Sequence, residues 1–262
     1  MSPLPPSVLA VAETLNLCLP PPPGEQRVIE ARWALFINAI PGPERNVVQR
    51  LRLSADTVAS SVAEVRAIFR AHDRKDVSWE ITASSTPPDL QARLAALGMV
   101  PDHEPEIAGM VLATPLPPTE TAVTVEPVTD FAGFCTHMTI LRRCFGHGAA
   151  DPTEAEMIHD FERRRGKEAH LRRYVAFADG APIAAADAVL IDDAVVLCGG
   201  ATLPEARGKG AYRALVAARW EEAVRRGTPV LVVQAGSMSR PILERLGFEK
   251  VAWVRVMVDH FE

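Results

Sequence analysis

The four cysteines, Cys18, Cys135, Cys144 and Cys198, contain no CxxC pair, and the seven histidines form no HExxH. Those absences suggest neither a disulfide frame nor a zinc site and fit a reducing, cytoplasmic setting. No run reaches the roughly 18 apolar residues of a membrane span, and Met1 to Ala12 is apolar without a basic leader, so a soluble, unexported protein is expected. Positive charge is scarce: the net charge is −5, and no basic stripe compensates, which argues against a nucleic-acid partner. GxGxxG and GxxxxGK[ST] are both missing, so the common nucleotide-binding fingerprints do not apply. Glycine is absent between Gly42 and Gly98, so the main chain there cannot easily wrap a phosphate.

What is present is ordinary for a globular fold. Hydrophobic residues make up 48% and charged residues 23% of the 262, enough for two modest cores. Two proline clusters, Pro20 to Pro23 and Pro115 to Pro118, punctuate the chain, and the second predicts a boundary between domains 1–118 and 119–262. In the first part, Val58, Val62, Val65 and Phe69 keep helical spacing. Val77 to Thr82 reads as a strand, and Leu90, Leu94 and Leu97 as a short helix stopped by Gly98.

In the second part, Phe131, Phe134, Met138, Leu141 and Phe145 form a helical stripe behind a cap at Asp130, and a further helix is expected from Pro152 to Arg165. Tyr174 to Ala178, Ile183 to Ile191 and Ala194 to Thr202 then read as a three-stranded antiparallel meander, turning at Asp179-Gly180 and Asp192-Asp193. A helix marked by Leu215, Ala218, Trp220, Ala223 and Val224 follows, ending at Gly227. Pro229 to Gln234 returns to strand, Ser239 caps a short helix with Pro241 in its first turn, and the last strand runs from Phe248 to Val258. Leu94-Ala95-Ala96-Leu97-Gly98-Met99 echoes Leu243-Glu244-Arg245-Leu246-Gly247-Phe248, which suggests a duplicated fold.

Chemistry concentrates at Arg207-Gly208-Lys209-Gly210-Ala211-Tyr212, between a strand and the start of a helix. Glycines at 208 and 210 let successive N–H groups converge, and a helix start adds unpaired donors and about half a positive charge, a fit for a pyrophosphate. Arg207 and Lys209 add charge at the rim. In order, strand, Arg-Gly-x-Gly turn, long helix, strand, Ser-led short helix and Leu-Gly-Phe resemble the signature segments of the GNAT (Gcn5-related N-acetyltransferase) superfamily, from about Tyr174 to Val258. The family pattern is Arg/Gln-x-x-Gly-x-Gly/Ala; Arg207 and Gly210 fill its first two positions, and Tyr212 stands where Gly or Ala is usual.

That resemblance implies an α+β fold, a mixed and mostly antiparallel sheet flanked by helices, here duplicated, with 1–118 as a degenerate copy. It implies acetyl-CoA as cosubstrate, no metal, and an amine acceptor, a small molecule or a peptide, attacking the thioester directly. The main chain of Ala201, Thr202 and Leu203 is expected to bond the pantetheine arm and Gly199 and Gly200 to lie near the thioester, with Arg207, Gly208, Lys209, Gly210, Ala211, Tyr212 and Ser239 completing the cofactor site. Many members protonate the leaving thiolate from a tyrosine on the short helix; Leu243 stands there, leaving Ser239, Tyr212, Cys198 or water as substitutes. A non-catalytic acyl-CoA sensor or interaction module is the alternative.

Other residues read more simply. Cys198 is a small buried filler unless it replaces an acidic base, and Asp187, interrupting an apolar strand, reads as a solvent-facing acid with a place at the substrate cleft as the alternative. Cys144 with His147 lacks a visible orienting acid. Arg163-Arg164-Arg165-Gly166-Lys167 reads as a solvated helix end. The acceptor pocket is expected between about Phe131 and Arg165, and the acceptor's identity and the oligomeric state stay open.

Overall fold

The computed structural model describes residues 4–22, 24–117, 121–146, 153–164 and 170–262. His147, Pro152 and the Arg165-Gly166-Lys167 stretch therefore lie outside the described residues. Two compact units emerge, and they do not follow a single cut: the first holds Met1–Met110, Gln234–Glu244 and Glu249–Glu262, the second Val111–Val233 and Arg245–Phe248. The division 1–118 and 119–262 put the closing strand with the second half. It packs with the first because it pairs there along seven consecutive positions, Val254↔Thr82 through His260↔Asp76.

Within the first unit the strands are β1 (Gln26–Ile29), β2 (Ala34–Ile37), β3 (Val47–Gln49), β4 (Asp76–Thr82), β5 (Val100–Leu112), which belongs to it as far as Met110, and β11 (Glu249–His260), in the order β1-β2-β3-β4-β11-β5. β1 with β2, β2 with β3 and β4 with β11 pair antiparallel, whereas β3 and β4 meet in parallel at Val47↔Ser78 and Val48↔Trp79. The crossover between them is α3 (Val58–Ala71), whose Val58, Val62, Val65 and Phe69 bury against Trp33, Trp79 and Leu94 as the helical spacing predicts. Helix α1 (Pro6–Glu13), not anticipated from the sequence, starts with a proline, harmless in a first turn, buries Val8, Val11 and Ala12, and is followed by the short α2 (Leu15–Cys18). The end of α1 presses on β5 at Gly109, where a Cβ would collide with the Ala12 carbonyl.

The second unit is built from β6 (Thr124–Pro127), β7 (Leu171–Ala178), β8 (Ala181–Leu190), β9 (Val195–Thr202) and β10 (Leu231–Ala235), whose first three residues belong to it, in the order β10-β9-β8-β7-β6. The expected meander β7-β8-β9 is antiparallel, and Asp179 and Gly180 turn it with φ of 51° and 75°. Helices α5 (Phe131–Phe145), α6 (Glu154–Arg164) and α7 (Ala211–Arg225) accompany it. Asp130 caps α5 as expected, its carboxylate accepting the Gly133 N–H at 2.8 Å. The buried face of α5 is Phe134, His137 and Ile140, while Phe145 is exposed, so a histidine holds a place that an apolar stripe would not assign to it.

The strand, helix and glycine echo is real in three dimensions. The short helix α4 (Leu90–Ala96) is followed by Gly98 and α8 (Arg240–Arg245) by Gly247, each glycine at φ 93°, each leading into a long strand. Leu94 and Leu243 are both fully buried. Each unit also carries a parallel strand pair joined by a crossover helix, β3-α3-β4 and β9-α7-β10. The architecture is thus a repeated mixed, mostly antiparallel sheet flanked by helices.

One feature of the first unit is sensitive to pH. Glu80 on β4 is intermediate in burial as a residue, but its carboxyl is enclosed, and desolvation pushes it up to about 7 against the opposing effect of the hydrogen bond from Gln49 Nε2. The folded protein thus holds this proton more tightly than the unfolded chain, so stability falls as pH rises from about 4.5 towards 7. Glu80→Gln should be more stable than the parent by about 1–3 kcal/mol at pH 8 and indistinguishable from it near pH 4.5, read by urea denaturation at both values.

Candidate functional site

Strand β9 meets β10 in parallel only at Val195↔Leu231 and Val196↔Val232. Its remaining residues, to Thr202, continue alongside β8 alone, so one edge of β9 is open beyond Val196 among the described residues of this unit. The register against β8 shifts between Ala185 and Asp187, opposite Gly199 and Gly200, and Gly199 takes φ 55° to allow it. Past this bulge the Leu203 N–H donates to the Ile183 carbonyl at 2.9 Å, and the Leu203 carbonyl accepts from Ala206. Both main-chain groups of Leu203 thus take part in bonds within the unit. Ala201 shares its direction, because alternate residues of a strand point the same way and Ala201 pairs with Ala185. Thr202 alone of the three turns its main-chain groups to the open edge.

After β9, a 3-10 turn (Pro204–Ala206) brings the chain to Arg207, and the Arg207 N–H closes this turn on the Pro204 carbonyl. Gly208 and Gly210 follow at φ 83° and 84°, and Gly210 is the N-cap of α7 with no side-chain cap. The N–H groups of Gly208, Lys209, Gly210, Ala211, Tyr212 and Arg213 have no partner among the described residues; the first helical bond is Ala214 N–H to the Gly210 carbonyl. Arg207, Gly208, Lys209 and Gly210 are exposed, and a Cβ at Gly208 would meet nothing within 4 Å. This is a concave row of donors at a helix mouth, with no carboxylate in the loop to fill it. Arg143 on α5 donates to Glu205 at 2.8 Å, which engages the acid nearest the loop.

The matching segment of the first unit, between β3 and α3, is an internal control. It contains no glycine, and its amides are used: Arg52 N–H bonds Arg32 O, Leu53 N–H bonds Thr86 O, Ser54 N–H bonds the Thr57 hydroxyl and Thr57 N–H bonds Ser54 O. Four amides of that loop are thus engaged within the unit, and no glycine there takes a left-handed φ.

Tyr212 lies across the open strand: its ring carbon Cε2 is 3.1 Å from the place a Cβ of Gly200 would take. A Cβ there would crowd the ring, so glycine at 200 helps to accommodate the departure from Gly or Ala at position 212. Burial raises the Tyr212 phenol above its usual value, which makes it a poorer acid for a leaving thiolate. Cys198, cross-strand from Asp187, is pushed up to about 12, first by burial and then by the Asp187 charge, against the lowering effect of Arg219. A thiol so held neither donates nor accepts a proton near neutrality. Iodoacetamide at pH 8 should leave Cys198 unmodified in the folded protein and alkylate it once denatured, as read by peptide mass spectrometry.

Ser239 stands ahead of α8. Its carbonyl accepts the N–H groups of Ile242 and Leu243, whereas its hydroxyl reaches back to the Gly236 carbonyl at 3.5 Å, so the main chain rather than the side chain caps this helix. Asp187 is less exposed than a surface acid. His137 Nε2 lies 2.9 Å from its Oδ1, Arg173 Nε 4.0 Å from the same oxygen, and Arg219 donates to its main-chain carbonyl at 3.2 Å. Sequence reasoning passed over Arg219, which is 1% exposed on a helix face expected to be apolar; burial lowers its pKa, and bonds to the Leu215 and Asp187 carbonyls hold it. On the α5 side Phe161 packs edge-on to Phe131 and tilted to Phe134, and Arg173 lies over the Phe134 ring. No cluster of three His, Cys, Asp or Glu suited to a metal occurs among the described residues, and none of their helices is long and apolar enough to cross a membrane.

Residues 134–248 match the model of the acetyltransferase (GNAT) family. No curated protein matches the chain. Solved structures similar in fold include a GCN5-related N-acetyltransferase from Kribbella flavida, at 18% identity and TM-score 0.70 over 97% of this chain and 96% of that one. A tandem GNAT protein from the clavulanic acid biosynthesis pathway aligns at 18% identity and TM-score 0.63 over 98% and 88%. A GCN5-related N-acetyltransferase from Sphaerobacter thermophilus gives 14% identity and TM-score 0.62 over 89% and 82%. The family's model lies across the open strand, the glycine turn and the helix behind it, so residues 134–248 are similar to the GNAT acetyltransferase family.

Proposed function

We propose that this chain transfers an acetyl or short acyl group from coenzyme A to a primary amine, with residues 1–118 as a copy of the fold that does not bind the cofactor. The row of N–H groups from Gly208 to Tyr212, unpartnered among the described residues, carries this reading, because such a row suits the two phosphates of a pyrophosphate and the helix start favours their charge. Arg207 and Lys209 add partly screened charge at the rim. Thr202 is the residue placed to bond a pantetheine arm from the open edge of β9, in the manner of an added strand. Acetyl-CoA supplies a thioester whose carbonyl carbon takes the amine nitrogen as the C–S bond breaks. The open main chain around Gly199 and Gly200 provides donors for the developing oxyanion.

An alkylamine with a pKa of about 10 must lose a proton before attack, while a thiolate of pKa near 8.5 leaves with little help. Tyr212 and Cys198 are both held away from that range in the wrong direction for a proton donor, and the departing thiolate accordingly takes its proton from the attacking nitrogen or from water. The second reading, an acyl-CoA sensor without turnover, rests on Leu243, which is fully buried where many relatives carry an acid.

Acetyl-CoA should raise Tm, by the equivalent of about 2.7 kcal/mol at 100 times its Kd, while ATP and NAD leave it unchanged. Thiol release over a panel of small amines, an aminoglycoside and a lysine peptide then separates enzyme from sensor. A shift with ATP or NAD alone would defeat the acyl-CoA reading.

A further inference from the structure

Asp187, Arg173 and Cys198 are aligned across β8, β7 and β9, as cross-strand partners. The Asp187 carboxylate is shared between two surroundings. Oδ1 faces inward, 2.9 Å from Nε2 of a His137 that is 0% exposed, whose Nδ1 and Nε2 make no well-directed hydrogen bond among the described residues. Oδ2 faces the β9 bulge, 3.1 Å from where a Cβ of Gly199 would be, and the side chain as a whole keeps 21% of its surface exposed. Gly199 therefore serves two purposes: it adopts φ 55°, and it leaves the carboxylate uncovered beside the open edge of the strand.

An enclosed histidine beside one oxygen and a bared second oxygen is an arrangement for holding a cation at a fixed point. Arg173, the nearest permanent charge, is 4.0 Å from Oδ1, the inward oxygen, and is also engaged with the Phe134 ring. Arg219 is committed to the main-chain carbonyl of Asp187.

We propose that Asp187 Oδ2 anchors the ammonium group of the acyl acceptor, and that His137 is a positioning residue that fixes the carboxylate by a contact from Nε2 to Oδ1. The inference rests on the acyl-CoA reading above and adds the residue that holds the acceptor's amine in its cationic form. Charge-assisted hydrogen bonds of this kind are the strong ones, and they are directional. The ammonium proton passes to water before the nitrogen attacks, so Asp187 binds and orients the acceptor without changing its own protonation.

n-Butylamine is a suitable probe, followed by acetyl-CoA-dependent thiol release. Asp187→Asn should lower kcat/KM for butylamine about tenfold or more, mainly through KM, with the acetyl-CoA rise in Tm unchanged. His137→Gln, which carries an amide nitrogen near the Nε2 position, should stay within about threefold of the parent, and His137→Leu should lose about tenfold. Butylamine turnover in Asp187→Asn within twofold of the parent overturns the inference, as does a parent that binds acetyl-CoA but releases no thiol with butylamine. Loss of the acetyl-CoA shift in both Asp187→Asn and Asp187→Glu overturns it too, because the carboxylate would then serve the cofactor. A parent with no acetyl-CoA shift instead strikes the reading beneath.

Discussion

Gly210→Val should abolish the rise in Tm produced by saturating acetyl-CoA while leaving a folded protein. Two effects act together. At φ 84° a β-branched residue is strained, which costs about 1–2 kcal/mol and lowers the Tm of the free protein by several degrees. Its Cβ would also lie in ordinary contact with Thr121 Oγ1, at 3.4 Å, so the site is not overfilled on that side and the chain has no reason to collapse. Relief of strain comes from rotating the peptide, and this turns the N–H groups of Gly210 and Ala211 out of the row that faces the anion. The expected observation is a ligand shift falling from roughly 2.7 kcal/mol to nothing measurable at the same acetyl-CoA concentration. Gly208→Ala, at φ 83° with open space around it, should weaken the shift by a smaller amount.

The second large effect lies away from the site. Asp259 on the closing strand is 1% exposed at its side chain, and both its oxygens are held by Arg66 of α3, at 2.9 Å to Nε and 2.6 Å to Nη2. Arg66 also donates to the Leu97 carbonyl and sits over Phe261. Arg66→Met leaves a buried carboxylate with no counter-charge, a loss of about 3–5 kcal/mol. The double variant Arg66→Met with Asp259→Leu should recover much of it, since an apolar pair of similar volume removes the stranded charge. Trp33, Trp79 and Trp253 lie in the first unit and Trp220 in the second, so fluorescence during urea unfolding reports mainly the unit in question. A loss below 1 kcal/mol would contradict the assignment of the last strand to that unit.

What could be read from residues alone was whatever depends on neighbours in sequence. The meander β7-β8-β9 announces itself through Asp179-Gly180 and Asp192-Asp193, and the glycine turn through its two left-handed positions. The Leu-Gly echo marks the repeated strand and short helix because each helix needs the same αL stop. Strands β1, β2 and β3 were not legible: they are three or four residues long, and β2 and β3 are buried on both faces, so no alternation marks them. Strand β5 escaped notice because charged residues interrupt its start. The partner of β11 is β4, more than a hundred residues away, and no local pattern encodes that pairing.

The site divided along the same line. The donors at Gly208 to Ala211 follow from a local motif, whereas the engagement of Leu203 within the unit follows from a one-residue bulge that only the register against β8 reveals. His137 and Arg219 sit at buried helical positions that polar side chains conceal from an apolar pattern, and their reasons are the Asp187 carboxylate and carbonyl on another element.

Cofactor binding is expected to depend most on the amides of the Gly208 to Ala211 turn. Amide 15N–1H correlation spectra of the labelled protein, recorded with coenzyme A and separately with pantetheine, which lacks the pyrophosphate, address them directly. Coenzyme A should move the Gly208, Lys209, Gly210 and Ala211 resonances strongly and pantetheine should leave them in place. Coenzyme A binding with those four resonances unmoved would contradict the account.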